Sequence, residues 1–156
     1  MTEKIRSIVA EEAAPRTKPS NYPPEFARRM EGRLKRPLGD IFGLTRFGVN
    51  LTVLKPGAVS SLHHRHSHQD EFVYIVKGRP TLFVDNEVVE LTVGMCAGFS
   101  AGGTPHHLEN RTDEDVVILE VGDRSAGDTV SYPSDDIAAV LVDGRWQFTR
   151  KDGTSF

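Results

Sequence analysis

The chain has 156 residues, 38% of them hydrophobic and 26% charged, with a formal net charge of −3. That length suits one domain with its own core, and the composition is ordinary for a soluble globule. A sequence pI of about 6.1 leaves no basic excess for a nucleic-acid partner, and no apolar run approaches the length of a membrane span.

The opening stretch, "MTEKIRSIVAEEAAPR", mixes acids and bases too early for a signal peptide. Cys96 is the only cysteine, so no internal disulfide forms, and a cytoplasmic location is expected. "NLT" at Asn50 and "NRT" at Asn110 match the glycosylation pattern. Without a secretion signal both are chance matches. Residues 1–43 read as an N-terminal arm. "PRTKPSNYPPEF" is extended, because each proline biases its predecessor away from helix, and "PEFARRMEGRL" makes a short helix opened by Pro24. The arm is expected to pack on the main domain or on a second subunit.

From residue 44 to 125 short strands follow one another. In "FGVNLTVL", Phe47, Val49, Leu51 and Val53 alternate with smaller or polar residues, as in a half-buried strand. "EFVYIV" is rich in β-branched and aromatic residues and stops at Gly78. "TLFVDNEVVEL" reads as a hairpin turning at Asp85-Asn86. "MCAGF" precedes the glycine-rich loop "SAGGTP", where Gly102 and Gly103 let the chain turn. "HHLEN" and "DVVILEV" add two strands. The tail, 126–156, is read as an extension packing on this core. "SDDIAAVL" predicts one helical turn, and "AVLVDGRWQF" a hairpin with Asp143-Gly144 as a type I′ turn. Many short strands and no long amphipathic helix predict an all-β closed or sandwiched fold.

The chain has six histidines, four of them in "HHRHSHQDE" and two in "TPHHLEN". Side chains two apart on a strand point the same way. His64 and His66 therefore share a face, and His68 joins them unless the chain has already turned. A hairpin at Ser67 to Asp70 would swing Glu71 back beside the pair. On the last strand His106, Leu108 and Asn110 share a face while His107 points away. Laid side by side, these segments collect two or three imidazoles and one carboxylate, a donor set for a first-row divalent metal such as zinc, iron, nickel or manganese. The competing reading is a solvated histidine-rich loop. Asp70 in place of Glu71, and His68 in place of a neighbour, stay open on spacing.

These residues resemble the two motifs of the cupins. Gly57, His64, His66, Glu71 and Gly78 follow the first motif, with one extra residue after Gly57. Gly94, Gly102, His106 and Asn110 follow the second, with Ser100 where a proline is usual and one extra residue before His106. "LGDIFGLTRFGVNLTVLKPGAVSS", "DEFVYIVKG" and "DVVILEVGDR" are similar to small bacterial single-domain cupins of unassigned activity. The resemblance implies a double-stranded β-helix, or jelly-roll barrel, holding a divalent transition metal (Zn, Fe, Mn or Ni) on His64, His66, Glu71 and His106. It assigns His63 and His107 to the other face.

Three functions remain in view. A metalloenzyme would act on a small polar substrate as an isomerase of a sugar phosphate or as a dioxygenase, with Glu71 as ligand or base. A binding module would hold a small ligand without turnover. A storage or scaffold barrel is disfavoured by the intact ligand set. An isomerase acting on a phosphorylated sugar requires a cationic group in the pocket. Arg65 and Arg79 are candidates, although alternation turns Arg65 away from the metal. Phe72 and Tyr74 are expected to pack in the core, Cys96 to be a small buried hydrophobe, and Asn110 to bond backbone at a strand end. The expected partners are a small molecule and a second copy of the chain in a homodimer, with neither nucleic acid nor membrane.

Overall fold

The computed structural model describes residues 7–156, so the first residues of the expected arm lie outside it. Two short helices, α1 (Pro24–Ala27) and α2 (Leu38–Ile41), accompany strands β1 (Arg33–Pro37), β2 (Phe47–Leu54), β3 (Arg65–His66), β4 (Glu71–Lys77), β5 (Thr81–Val84), β6 (Glu87–Glu90), β7 (Cys96–Phe99), β8 (His106–Glu109), β9 (Val116–Asp123), β10 (Thr129–Ser131), β11 (Ala138–Val142) and β12 (Arg145–Thr149). One wall is a five-stranded sheet in the order β1-β2-β9-β4-β7. The facing wall is made of β6-β5-β8 and β12-β11-β10-β3, joined by isolated bridges Val59↔Glu109 and His64↔His106. All the pairings are antiparallel. Two sheets closed over one interior form the expected jelly-roll barrel.

Period-two alternation sets which residues enter that interior. Leu54, Val73, Ile75, Leu82, Leu108, Val116 and Ile118 interlock between the walls. Full burial of each such side chain contributes roughly 1.5–3 kcal/mol. Phe26, Met30, Leu62, Val130, Tyr132 and Ile137 form a second cluster at the other end. Phe26 and Met30 belong to the arm, whose helix α1 begins at Pro24 and runs into a 3₁₀ turn at Arg28–Met30. The arm also runs beside β1, where the Arg16 N–H donates to the Lys35 carbonyl at 2.8 Å. β1 itself arises within the stretch read as arm, because "RLKRP" pairs along its whole length with β2.

Both predicted hairpins form. Val84 pairs with Glu87 around Asp85, and Val142 with Arg145 around Asp143-Gly144. Left-handed φ at both Asp143, 49°, and Gly144, 73°, is what a type I′ turn needs, whereas in the first turn Asp85 alone, at 53°, is left-handed.

Several expectations are corrected. "SDDIAAVL" makes no helical turn: its second half is β11, held by β10 on one side and β12 on the other. Two ladders plus burial of Ile137 and Ala139 outweigh a weak capping signal. In β2 the alternation is right but the faces are reversed. Asn50 and Thr52 point inward and Phe47 outward, because the interior here is a polar cavity. Phe72 and Tyr74 are not core residues. Each is 41% exposed on the outer face of β4, while Glu71, Val73 and Ile75 take the inner one. Cys96 lies exposed beside them, across from Tyr74 on β7. Among the described residues no helix is long and apolar enough to cross a membrane.

Candidate metal centre

The three motif histidines come from the wall containing β8 and β3, and the glutamate comes from the wall opposite. His64 and His106 sit side by side through reciprocal backbone bonds, His64 N–H to His106 O at 3.2 Å and the reverse at 2.9 Å. His66 follows on β3, which pairs with β10. β3 does not pair with β4, so the expected hairpin at Ser67 to Asp70 is absent. β4 crosses to the other sheet between β9 and β7. Glu71 thus meets the imidazoles across the barrel rather than beside them.

All three Nε2 atoms converge on its carboxylate. The distances are 2.8 Å from His106 and 3.2 Å from His64 to Oε2, and 3.5 Å from His66 to Oε1. The donor atoms of His64, His66 and Glu71 all lie within 4.8 Å of one another. Each imidazole is oriented through its other nitrogen. His64 Nδ1 is 2.8 Å from the Leu62 carbonyl, His106 Nδ1 is 3.3 Å from the Thr104 carbonyl, and His66 Nδ1 is 2.6 Å from Asp128 Oδ2. A carbonyl only accepts, so the Nδ1 of His64 and of His106 carries the proton. Phe99 stacks on His106 with ring centroids 3.5 Å apart, and Trp146 packs edge-on against His66.

This donor set fits a metal ion. With their Nδ1 protons committed, neutral imidazoles aim Nε2 lone pairs at an anionic carboxylate, an arrangement that a cation between them turns from repulsive to attractive. Burial opposes protonation of His66, but Glu71 and Asp128 outweigh it and raise the imidazole to about 9. Burial likewise opposes ionisation of Glu71, yet His106, His64 and His66 hold its carboxyl well below the usual range.

The alternatives left open by spacing stay outside this cluster. The His68 side chain is exposed and bonds Ser67 Oγ, and Asp70 accepts the Ala101 N–H of the glycine-rich loop at 2.7 Å. His63 and His107 meet each other instead, Nδ1 to Nδ1 at 2.9 Å, with His107 stacked on Phe83 and bonded to Glu109. Asn110 ties strand ends, donating to the Leu54 and Glu114 carbonyls.

Asp128 was invisible in the sequence. It is fully buried, and its second oxygen accepts the His68 N–H and Ser67 hydroxyl. An aspartate in "AGDTV" carries no signal of its own, since only the β3–β10 pairing brings it to His66.

The cluster opens into a cavity of about 310 Å³ whose lining includes Tyr22, Tyr132, Arg16, Arg33, Lys35 and Glu120. Arg65 and Arg79 do not line it. Arg65 bonds Ser131 Oγ on the surface, and Arg79 is exposed near Glu90.

Residues 50–122 match the family described as Cupin domain. The fold is similar to the crystal structure of a sugar phosphate isomerase from a cupin superfamily of Silicibacter pomeroyi, at 38% identity and a TM-score of 0.90, covering 97% of this chain and 96% of that one. A candidate sugar phosphate isomerase of Acidithiobacillus ferrooxidans aligns at 26% identity and a TM-score of 0.72, over 86% of this chain and 94% of that one. The polyketide cyclase RemF of Streptomyces resistomycificus shares the fold alone, at 16% identity and a TM-score of 0.63, over 76% of this chain and 79% of its own. No curated protein matches the sequence.

Proposed function

The chain belongs to the cupin superfamily, and from that premise we propose that it is a mononuclear metalloenzyme of the sugar phosphate isomerase kind. The observation that carries the metal is the convergence of three Nε2 atoms on Glu71, each ring held by an acceptor at Nδ1. His64, His66, His106 and Glu71 would hold the ion. When bound, a divalent transition ion polarises a carbonyl or hydroxyl of a substrate that shares its open positions. Glu71 is a carboxylate at neutral pH, which suits it to the role of ligand more than to storing a proton. The isomerase side is supported by the named activity of the 38%-identical protein and by the basic residues in the cavity lining. No feature of the cavity favours dioxygen chemistry over it.

The test is elemental analysis of protein purified without a histidine tag, in wild type and in the double variant His66→Ala, His106→Ala. About one equivalent of transition metal is expected in wild type and none in the variant. Metal-free wild type after reconstitution overturns the site. Aldose–ketose interconversion of phosphorylated sugars by the loaded protein supports the isomerase, whereas tight binding without turnover favours a small-molecule sensor on the same barrel. A homodimer and a cytoplasmic location belong to the same proposal. The dimer is supported by Phe72, Tyr74 and Val76, a run of apolar side chains left open on the outer sheet face.

A further inference from the structure

Glu71 and the histidines occupy one end of the cavity, and a different chemistry occupies the other. On β1 the residues Arg33 and Lys35 face inward, with Leu34 and Arg36 on the outer side. Arg16 of the arm reaches the same cavity, held by its backbone bond to the Lys35 carbonyl. The three cations are close enough to repel one another. Burial, the largest influence, lowers Arg33 and Lys35, and Arg16 lowers both further.

One carboxylate, Glu120, stands among them, and it is already engaged. It accepts the Thr52 hydroxyl at 2.6 Å and pairs with Lys35 at 3.1 Å. Arg33 spends its terminal nitrogens on the Ser60 and Pro19 carbonyls, at 2.7 and 3.0 Å. These bonds fix the guanidinium without neutralising it. Its Nε is buried and has no hydrogen-bond partner among the described residues. Arg16 makes no ion pair among the described residues. Arg124, the remaining arginine of the lining, is satisfied by Asp40. Neither guanidinium forms an ion pair among the described residues: Arg16 is exposed and Arg33 partly buried, and the one nearby carboxylate, Glu120, is shared between Lys35 and the field at Arg33, so three cations stand around a single anion.

We propose that Arg16 and Arg33, backed by Lys35, form a phosphate subsite that holds the anionic end of the substrate while its polar end reaches the histidine cluster. A dianion matches this charge: Arg16 offers an open guanidinium fork, which binds phosphate oxygens bidentately, while Arg33, its terminal nitrogens anchored on carbonyls, adds a fixed positive charge beside it. β1 and β4 are separated by two strands, so their backbones lie roughly 14 Å apart at the usual strand spacing. Long arginine side chains close part of that gap, and the ligand must span the rest, as a phosphorylated sugar does. The subsite rests on the isomerase reading for its second half only, because anion binding stands whether or not a metal is present. It also gives the arm a role, since specificity then comes from residues outside the two motifs.

The experiment is calorimetric titration with inorganic phosphate, ribose 5-phosphate and ribose, on wild type, Arg16→Gln and Arg33→Lys, with metal content and melting temperature measured on the same samples. Among the described residues Arg16 makes no side-chain bond that its loss would break, so Arg16→Gln tests the subsite without endangering the fold. Phosphate and ribose 5-phosphate are expected to bind wild type and ribose to bind far more weakly. Arg16→Gln is expected to lose about tenfold in phosphate affinity, the equivalent of one charge-assisted bond, with metal content unchanged. Arg33→Lys keeps the charge but loses the planar group anchored on the Ser60 and Pro19 carbonyls and is expected to fall between the two. Failure of wild type to bind millimolar phosphate, or equal binding by Arg16→Gln, overturns the subsite. So does competition by acetate as effective as that by phosphate. Phosphate binding by a protein that takes up no metal would preserve the subsite and remove the metalloenzyme.

Discussion

At the scale of single residues, the site is defined by the second nitrogen of each imidazole. A free imidazole presents either nitrogen, and a committed Nδ1 leaves only Nε2 to face Glu71. His66 depends on Asp128 for this, at 2.6 Å. Asp128→Asn keeps the size of the side chain and removes its charge. It is expected to weaken metal affinity by about 10–100-fold, read by competition with a chromogenic chelator, and unchanged affinity would deny Asp128 its orienting role. Cys96 gives a second residue-level test. As an exposed thiol on a strand's outer face, it is expected to react with a thiol reagent without unfolding, at a rate close to that in denaturant once the chain is monomeric. A buried cysteine would be protected until unfolding.

At the scale of elements, the motif glycines show how one backbone demand can have two different costs. Gly57 and Gly78 both have left-handed φ, 83° and 81°. A Cβ at Gly57 would meet open space, whereas at Gly78 it would lie 2.9 Å from both the Asp115 carbonyl oxygen and Val116 Cγ2. Gly57→Ala is expected to cost about 1–2 kcal/mol, the left-handed penalty alone. Gly78→Ala is expected to cost more, because the turn after β4 packs against the start of β9 and cannot yield. Urea denaturation of the two variants checks the order. Strand β2 carries a related lesson. Its alternation is plain in the sequence, but the apolar set faces outward and the polar set lines the cavity, since a site needs polar walls. The tail segment 134–141 went wrong for another reason: its capping residues carry a local preference, and the ladders to β10 and β12 decided against it.

At the scale of the whole molecule, Glu71 and the histidines lie on opposite walls, so an ion between them would cross-link the barrel. A ligand at a thousandfold excess over its dissociation constant stabilises by about 4 kcal/mol. At roughly 2–4 °C per kcal/mol for a chain of this size, removing the metal with a chelator is expected to lower the melting temperature by on the order of 10 °C. Scanning calorimetry of the loaded and stripped protein would show it, and an unchanged melt would mean that no ion bridges the walls. The outer face of the five-stranded sheet is the other property of this scale. Phe72, Tyr74 and Val76 lie side by side with exposed Cys96 near the open edge of β7. If a second copy covers this face, light scattering will report a dimer, Tyr74→Glu will give a monomer, and Cys96 labelling will speed up in that variant. A wild-type monomer would instead leave the face to solvent.

Much of the fold could be read without coordinates, because its signals are local. Strand periodicity, glycine punctuation, the two hairpin turns and the imidazole pair spaced two apart depend on neighbours in the chain. So do the order and spacing of Gly57, His64, His66, Glu71, Gly78 and His106, which point to one barrel and one cluster. The remainder depended on pairing between distant segments. Which wall each strand joins decided that Glu71 faces the histidines across the barrel, that Phe72 and Tyr74 look outward, and that Asp128 reaches His66. It also placed Arg16 and Arg33 in the cavity, where nothing in "APRTK" or "GRLKR" marks them. A side chain's face follows from its own strand, but the chemistry it meets there is set by whichever strand the sheet order places opposite.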